Sequence, residues 1–170
     1  MKKLLHFSFL VLLLCSATSM MAQDDKSKRP SPPATLNTSV GDLNITIDYS
    51  QPSVKGRTVG KDIAPYGKVW RTGANEATTF TVNRDVKIEG QELKAGKYTL
   101  FTIPGEDEWT LIFNKQTGQW GTRYDEAQDA LRVKVKPTKA PSFTEKMTFT
   151  QTDGGINLMW GDTAVRFGVQ

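Results

Sequence analysis

An all-β fold, an antiparallel β-sandwich or jelly-roll-like barrel in a single domain, is predicted by three features of the 170-residue chain. Short runs alternate apolar and polar residues with a period of two. Clusters of Gly, Pro, Asn and Asp separate those runs at spacings suited to hairpins. No stretch beyond the extreme N-terminus keeps a 3.6-residue period, and no repeat of a size that would indicate a solenoid or propeller is present.

The N-terminus is of another kind. Lys2 and Lys3 precede an almost unbroken apolar run, Leu4 to Leu14, followed by small residues up to Ala22. This is the layout of a cleavable export signal over residues 1–22, too short and wrongly flanked for a membrane span, and it predicts a periplasmic or secreted protein. Cys15 also admits lipidation, although Leu13 and Leu14 stand where small residues are expected before a lipidated cysteine. Residues 23–34 hold Lys26, Lys28, Arg29 and three prolines without apolar periodicity, and read as a flexible, then stiffened, tether. Residues 35–170 form the β-domain.

Cleavage changes the available chemistry. The single histidine, His6, and the single cysteine, Cys15, both leave with the signal. The mature chain then has no Ser-His-Asp triad, no thiolate nucleophile and no His/Cys zinc site. No metal site is assigned and no cofactor is expected; any remaining chemistry must use carboxylates, Lys, Tyr, Ser/Thr, Arg or a hard oxygen-liganded cation such as calcium, although no acidic turn matches the EF-hand pattern. Removing 22 residues from 170 leaves 148, and losing Lys2 and Lys3 leaves 20 basic residues against 18 acidic, a net +2. Such a balance is an ordinary solvated surface and excludes a nucleic-acid footprint.

From residue 36 the elements follow in order. Residues 36–40 and the alternating Leu43, Ile45, Ile47 and Tyr49 form a hairpin around Gly41-Asp42. Residues 51–65, broken by Pro52, Gly56, Gly60 and Pro65, form a long loop with one helical turn near 61–64. Residues 68–72 read as a short strand, 73–76 as a turn, and 78–82 as a further strand through Phe80 and Val82. Val86 and Ile88 lead through Glu89-Gly90 to Leu93. Residues 97–103 are apolar on both faces and suit a central strand. Trp109, Leu111 and Phe113 face inward on the next strand, and residues 115–130 form a loop carrying Trp120 and Tyr124. Leu131, Val133 and Val135 end at Pro137, with Arg132 and Lys134 on the outer face. Phe143, Met147 and Phe149 share one side of the following strand. Ile156, Leu158 and Trp160 follow Asp153-Gly154-Gly155, and Gly161-Asp162 makes a tight hairpin into Val165, Phe167 and Val169.

The richest segment chemically is 66–80, with Trp70, Arg71, Asn75 and Glu76 close together. In one reading Trp70 is a stacking platform for a sugar or peptide, Arg71 a fork for a carboxylate or phosphate, and Asn75 and Glu76 orienting groups. In the other, Trp70 is core and Arg71 pairs with Glu76 to brace a corner whose turn Gly73 permits. Arg57, Tyr66, Trp120 and Tyr124 lie on predicted loops, and complete a candidate rim if those loops gather at one end of the sandwich. Glu76 has no carboxylate neighbour in sequence to form a glycosidase pair. Gly154-Gly155 fits a hairpin better than a phosphate cradle, because no helix follows.

The segments YSQPSVKGR (49–57), PYGKVWRTGANEAT (65–78), KAGKYTLFTIP (94–104) and WTLIFN (109–114) together resemble a bacterial exported family, domain of unknown function 2911. The resemblance implies an exported single domain and carries over no activity, cofactor or catalytic residue. Three functions stay open: a non-enzymatic binding module for a small molecule, glycan or peptide; a carboxylate-based hydrolase using Glu76 with Arg71; and a structural or assembly module of the cell envelope, with a protein partner.

Overall fold

The structure, a computed structural model, describes residues 25–170. The export signal read over 1–22, with His6 and Cys15, lies outside the described residues. Among the described residues no helix is long and apolar enough to cross a membrane.

The fold is a sandwich-like all-β arrangement that does not close into a barrel. The described residues form ten strands: β1 (Pro33–Val40), β2 (Leu43–Ser50), β3 (Thr79–Val82), β4 (Val86–Ile88), β5 (Gln91–Leu93), β6 (Gly96–Ile103), β7 (Trp109–Asn114), β8 (Asp129–Val135), β9 (Pro137–Thr152) and β10 (Gly155–Gly168). One sheet has the antiparallel order β1-β2-β3-β6-β7-β8. Opposite it, β9 and β10 form a long hairpin, and the small β4-β5 hairpin joins the end of β10 through an Ile88 to Val169 bridge.

Local chemistry explains the hairpins. Val40 pairs with Leu43 across Gly41-Asp42, and Gly41 takes a left-handed φ of 62°. The β4-β5 turn has φ of 49° at Glu89 and 78° at Gly90, the two positive values that a two-residue hairpin of matching twist requires. On β2, Leu43, Ile45, Ile47 and Tyr49 are buried while Asn44 and Asp48 face solvent. Phe80, Phe113 and Phe167 meet between the layers at centroid separations of 5.1 to 6.4 Å. Each such buried ring stabilises the fold by roughly 1.5–3 kcal/mol relative to exposure.

Strand β6 is central, as predicted. Leu100 joins the main core, while Phe101 on the opposite face is buried beneath Tyr124 at 4.9 Å. The loop 115–128 thus lies over the outer face of the large sheet: Thr99 Oγ1 donates to Gln116 O, and Asn114 Nδ2 donates to Asp125 O. On β8, Val133 and Val135 point in while Arg132 and Lys134 point out.

Four local expectations are corrected. Gly161-Asp162 does not make a hairpin; β10 runs through it, with Gly161 at φ 61° and register shifts on either side. A left-handed glycine serves a bulge as readily as a turn, and here β9 is long enough to continue opposite. Because β9 spends more residues than β10 between Thr148 and Lys139, Phe143 is extruded and 56% exposed, whereas Met147 and Phe149 stay in the core. The strand predicted over 68–72 reduces to one bridge, Trp70 to Thr102. Residues 61–64 form a turn without helix, since positive φ at Gly60 (88°) and Ala64 (46°) interrupts it at both ends.

Candidate functional site

The segment rich in candidate residues is an interrupted continuation of β3 along β6. Leu100 N–H donates to Thr78 O, and two residues further along β6, Thr102 exchanges both backbone hydrogen bonds with Trp70 at 2.7 and 2.9 Å. Between these contacts residues 72–77 loop out, with φ of 52° at Thr72 and 58° at Asn75. The loop is closed at its base by Thr78 Oγ1, which donates to Thr72 O at 2.9 Å, and by the buried Thr72–Thr102 hydroxyl pair at 3.1 Å. Gly73 is needed for close approach: a Cβ there would lie 2.7 Å from the Thr78 hydroxyl. The left-handed positions are Thr72 and Asn75, so the expectation that Gly73 supplies the turn is corrected.

Alternation along this segment decides what each side chain can do. Trp70 points into the sandwich, stacked on Trp160 at 5.2 Å and 9°, and edge-on to Trp109 at 6.3 Å. It is half-buried packing, not an open shelf. Val69 and Arg71 point to the other side. There Val69, Trp70, Arg71, Phe101, Gly121, Thr122 and Tyr124 line a depression of ≈ 260 Å³. Gly121 allows the arginine to lie across the loop, since a Cβ at 121 would sit 2.5 Å from Arg71 Cδ.

Arg71 does not pair with Glu76. Its Nε donates to Gly73 O at 3.3 Å, and no carboxylate among the described residues lies within ion-pair distance of it. Glu76 instead receives Lys26 Nζ at 2.9 Å, and Arg29 Nη1 at 3.0 and 3.1 Å on its two oxygens. Lys26 first, then the residue's own backbone N–H, with a further hydrogen bond from Arg29, lower its pKa to about 2. A carboxylate so held remains ionised near neutrality and is poorly matched to general acid or base work there.

The other candidates divide. Asn75 Nδ2 donates to Ser31 O at 3.0 Å, and Asn75 O accepts the Gly121 N–H at 3.1 Å. Trp120 bridges Glu76 and is 48% exposed. Tyr124 Oη donates to Asp129 Oδ2 at 2.7 Å and accepts from Arg132 at 2.6 Å. Burial, then the Asp129 carboxylate, pushes its pKa to about 12, so its hydroxyl is a structural group and its ring is what the depression uses. Thus Trp70, Arg71 and Tyr124 share one depression, with Asn75, Glu76 and Trp120 forming the adjoining wall.

Arg57 and Tyr66 do not join this rim. Arg57 donates to the carbonyls of Val54 and Ser53 at 3.0 and 2.8 Å, and Tyr66 covers Gly60, where a Cβ would meet its ring at 2.1 Å. They line two other depressions, on either side of Asp162 and Thr163. In a further depression, by Asp85 and Lys94, those two side chains already pair with each other at 2.9 Å.

Sequence reading missed Val69, Phe101, Gly121 and Thr122. Val69 was legible as sharing the Arg71 side of a strand; Gly121 and Thr122 carry no local signal, because their role comes from the loop folding over β6. Among the described residues no group of three His, Cys, Asp or Glu side chains is placed to hold a metal ion.

Comparison with curated proteins and with solved structures finds no match to this chain. A family model does match, over residues 31–169, and its description is protein of unknown function (DUF2911). That match takes in β1 to β10 and both walls of the Arg71 depression, and the chain belongs to the DUF2911 family.

Proposed function

We propose that this protein is an exported, non-enzymatic binding domain whose ligand occupies the Arg71 depression. The ligand class is a small molecule, glycan or peptide with an anionic group for Arg71 and an apolar or flat part for Val69, Phe101 and Tyr124. One observation carries the reading: Arg71 lines a depression floored by apolar side chains, without a carboxylate partner among the described residues. A partly buried guanidinium gains most from an anion that can take its fork-like donors, and water is a poorer substitute beside apolar walls. The hydrolase alternative has no matching support, since Glu76 is turned to Lys26 and Arg29. Export rests on the charge and hydropathy pattern of residues 1–22.

The test is a thermal-shift screen of the purified protein against glycan, peptide and metabolite collections, repeated with Arg71→Ala. Ligands that bind the folded state raise the melting temperature increasingly as their concentration exceeds Kd. The expected outcome is a set of anionic hits lost in the variant, whose own melting stays near that of the parent. Hits retained in full by a normally folded Arg71→Ala protein place the ligand elsewhere.

A further inference from the structure

Three consecutive residues, Val69, Trp70 and Arg71, line the depression, although alternation sends the Trp70 side chain to the opposite face. The depression therefore follows a length of backbone as well as a set of side chains. In an antiparallel pair, residues that exchange both hydrogen bonds alternate with residues whose N–H and C=O groups point away from the partner. Trp70 and Thr102 are such an exchanging pair, so the peptide groups of Val69 and Arg71 face away from β6. Among the described residues neither Val69 nor Arg71 has a hydrogen-bond partner for its backbone N–H or C=O. No strand continues β2 alongside them, because residues 52–54 leave to pair with β9 at Glu145 to Met147.

We propose, on the reading that the Arg71 depression is the ligand site, that its ligand is an acidic peptide segment bound in extended form as an added strand along Val69–Arg71. Strand addition supplies the partners that these two residues lack, and alternate side chains of the guest then enter the depression. Charge sets the guest's character. Arg71 is in the lining and Arg123 stands between the lining residues Thr122 and Tyr124, and neither has an ion-pair partner among the described residues. A guest Asp or Glu opposite Arg71 makes a cross-strand ionic pair, while an apolar residue two positions away lies against Val69. A glycan or a compact aromatic acid would satisfy Arg71 but leave the backbone groups of Val69 and Arg71 to water.

A phage-displayed library of random peptides of about six residues, a common strand length, tests this against the purified protein. The strongest binder is then synthesised in three forms: unmodified, N-methylated at its odd amides, and N-methylated at its even amides. The expected selection is acidic residues alternating with apolar ones. One methylated form should lose roughly tenfold or more in affinity while the other keeps it, because only alternate N–H groups face the host strand. Arg71→Ala should cost a similar factor. Equal binding by both methylated forms, with the Arg71 dependence intact, overturns strand addition but leaves the depression as the ligand site. Anionic metabolites that bind through Arg71 while no acidic peptide is enriched likewise overturn strand addition and leave the depression standing. Peptide binding indifferent to Arg71 in a variant of unchanged melting temperature overturns both readings. The methylation arm uses the parent protein throughout, so a poorly folding variant does not weaken it.

Discussion

Gly73 and Trp70 show how much of the candidate segment is architecture. A methyl group at 73 meets the Thr78 hydroxyl at 2.7 Å, with Ser50 O at 3.2 Å as a second close neighbour, so the site cannot yield cheaply. Gly73→Ala is expected to lower stability by about 1–3 kcal/mol in urea denaturation, the usual range for overpacking. Trp70→Ala removes a ring stacked on Trp160 and edge-on to Trp109, and its expected cost is roughly 3 kcal/mol, at the lower end for large aromatic truncations because the ring is only half-buried. Arg71→Ala, which removes a single long hydrogen bond to Gly73 O, should leave stability within about 0.5 kcal/mol. That contrast separates the structural member of the pair from the one proposed to meet a ligand. Alternation is local, so a strand read over 68–72 already implies opposite faces for the two residues. The partner expected for Arg71 was wrong because Lys26 and Arg29, which take Glu76, lie far away along the chain, in a stretch with no periodicity to betray a contact.

At the scale of elements, the residues before β1 are tied to the loop that walls the depression. Lys26 and Arg29 hold Glu76, Ser31 O holds Asn75, and Asn75 O holds Gly121, against which Arg71 rests. The Glu76 pKa is about 2 in the folded protein against an ordinary 4.5. A carboxylate with a depressed folded pKa contributes stability above its unfolded pKa, and that contribution is lost as pH falls from 4.5 towards 2. With the Glu76 side chain 42% exposed, solvent screening keeps the contribution within about 1 kcal/mol. Amide exchange at Gly121 should therefore accelerate in Glu76→Gln near neutral pH relative to the parent, and the gap should close as the parent is acidified through that window. Exchange at Gly121 unaffected by Glu76→Gln would show that the tie does not reach the depression. Elements with purely local signals were legible: Gly41-Asp42 and Glu89-Gly90 turn as their residues require. Gly161-Asp162 carries the same signal and becomes a bulge, because whether a left-handed glycine reverses the chain depends on the partner strand, here β9.

The whole molecule is two layers whose shared core runs through Ile47, Phe80, Phe113, Met147 and Phe167. Phe113→Ala should cost about 3–5 kcal/mol, since the ring is fully buried and touches both Phe80 and Phe167. The all-β class was legible because period-two alternation survives any arrangement of strands. Whether the sheet closes was not: closure depends on which strands are edges, and β1 and β8 remain edges of the large sheet. The depression was half legible for the same reason. Its strand side, Val69 and Arg71, follows from alternation, while its loop side, Gly121 to Tyr124, exists only because residues 115–128 fold back over Phe101. The rim expected from Arg57 and Tyr66 fails at this scale, as the loop after β2 is tied to β9 through the Ser53 to Lys146 bridge and the two residues line other depressions beside Asp162.

The most direct measurement is a backbone amide NMR titration of the isotopically labelled protein with the strongest Arg71-dependent ligand from the thermal-shift screen. The expected result is a contiguous set of shifted amides at Val69, Trp70, Arg71, Phe101, Gly121, Thr122 and Tyr124. Shifts gathered instead around Arg57, Tyr66, Asp162 and Thr163, with the Arg71 depression silent, would contradict the assignment of the ligand site.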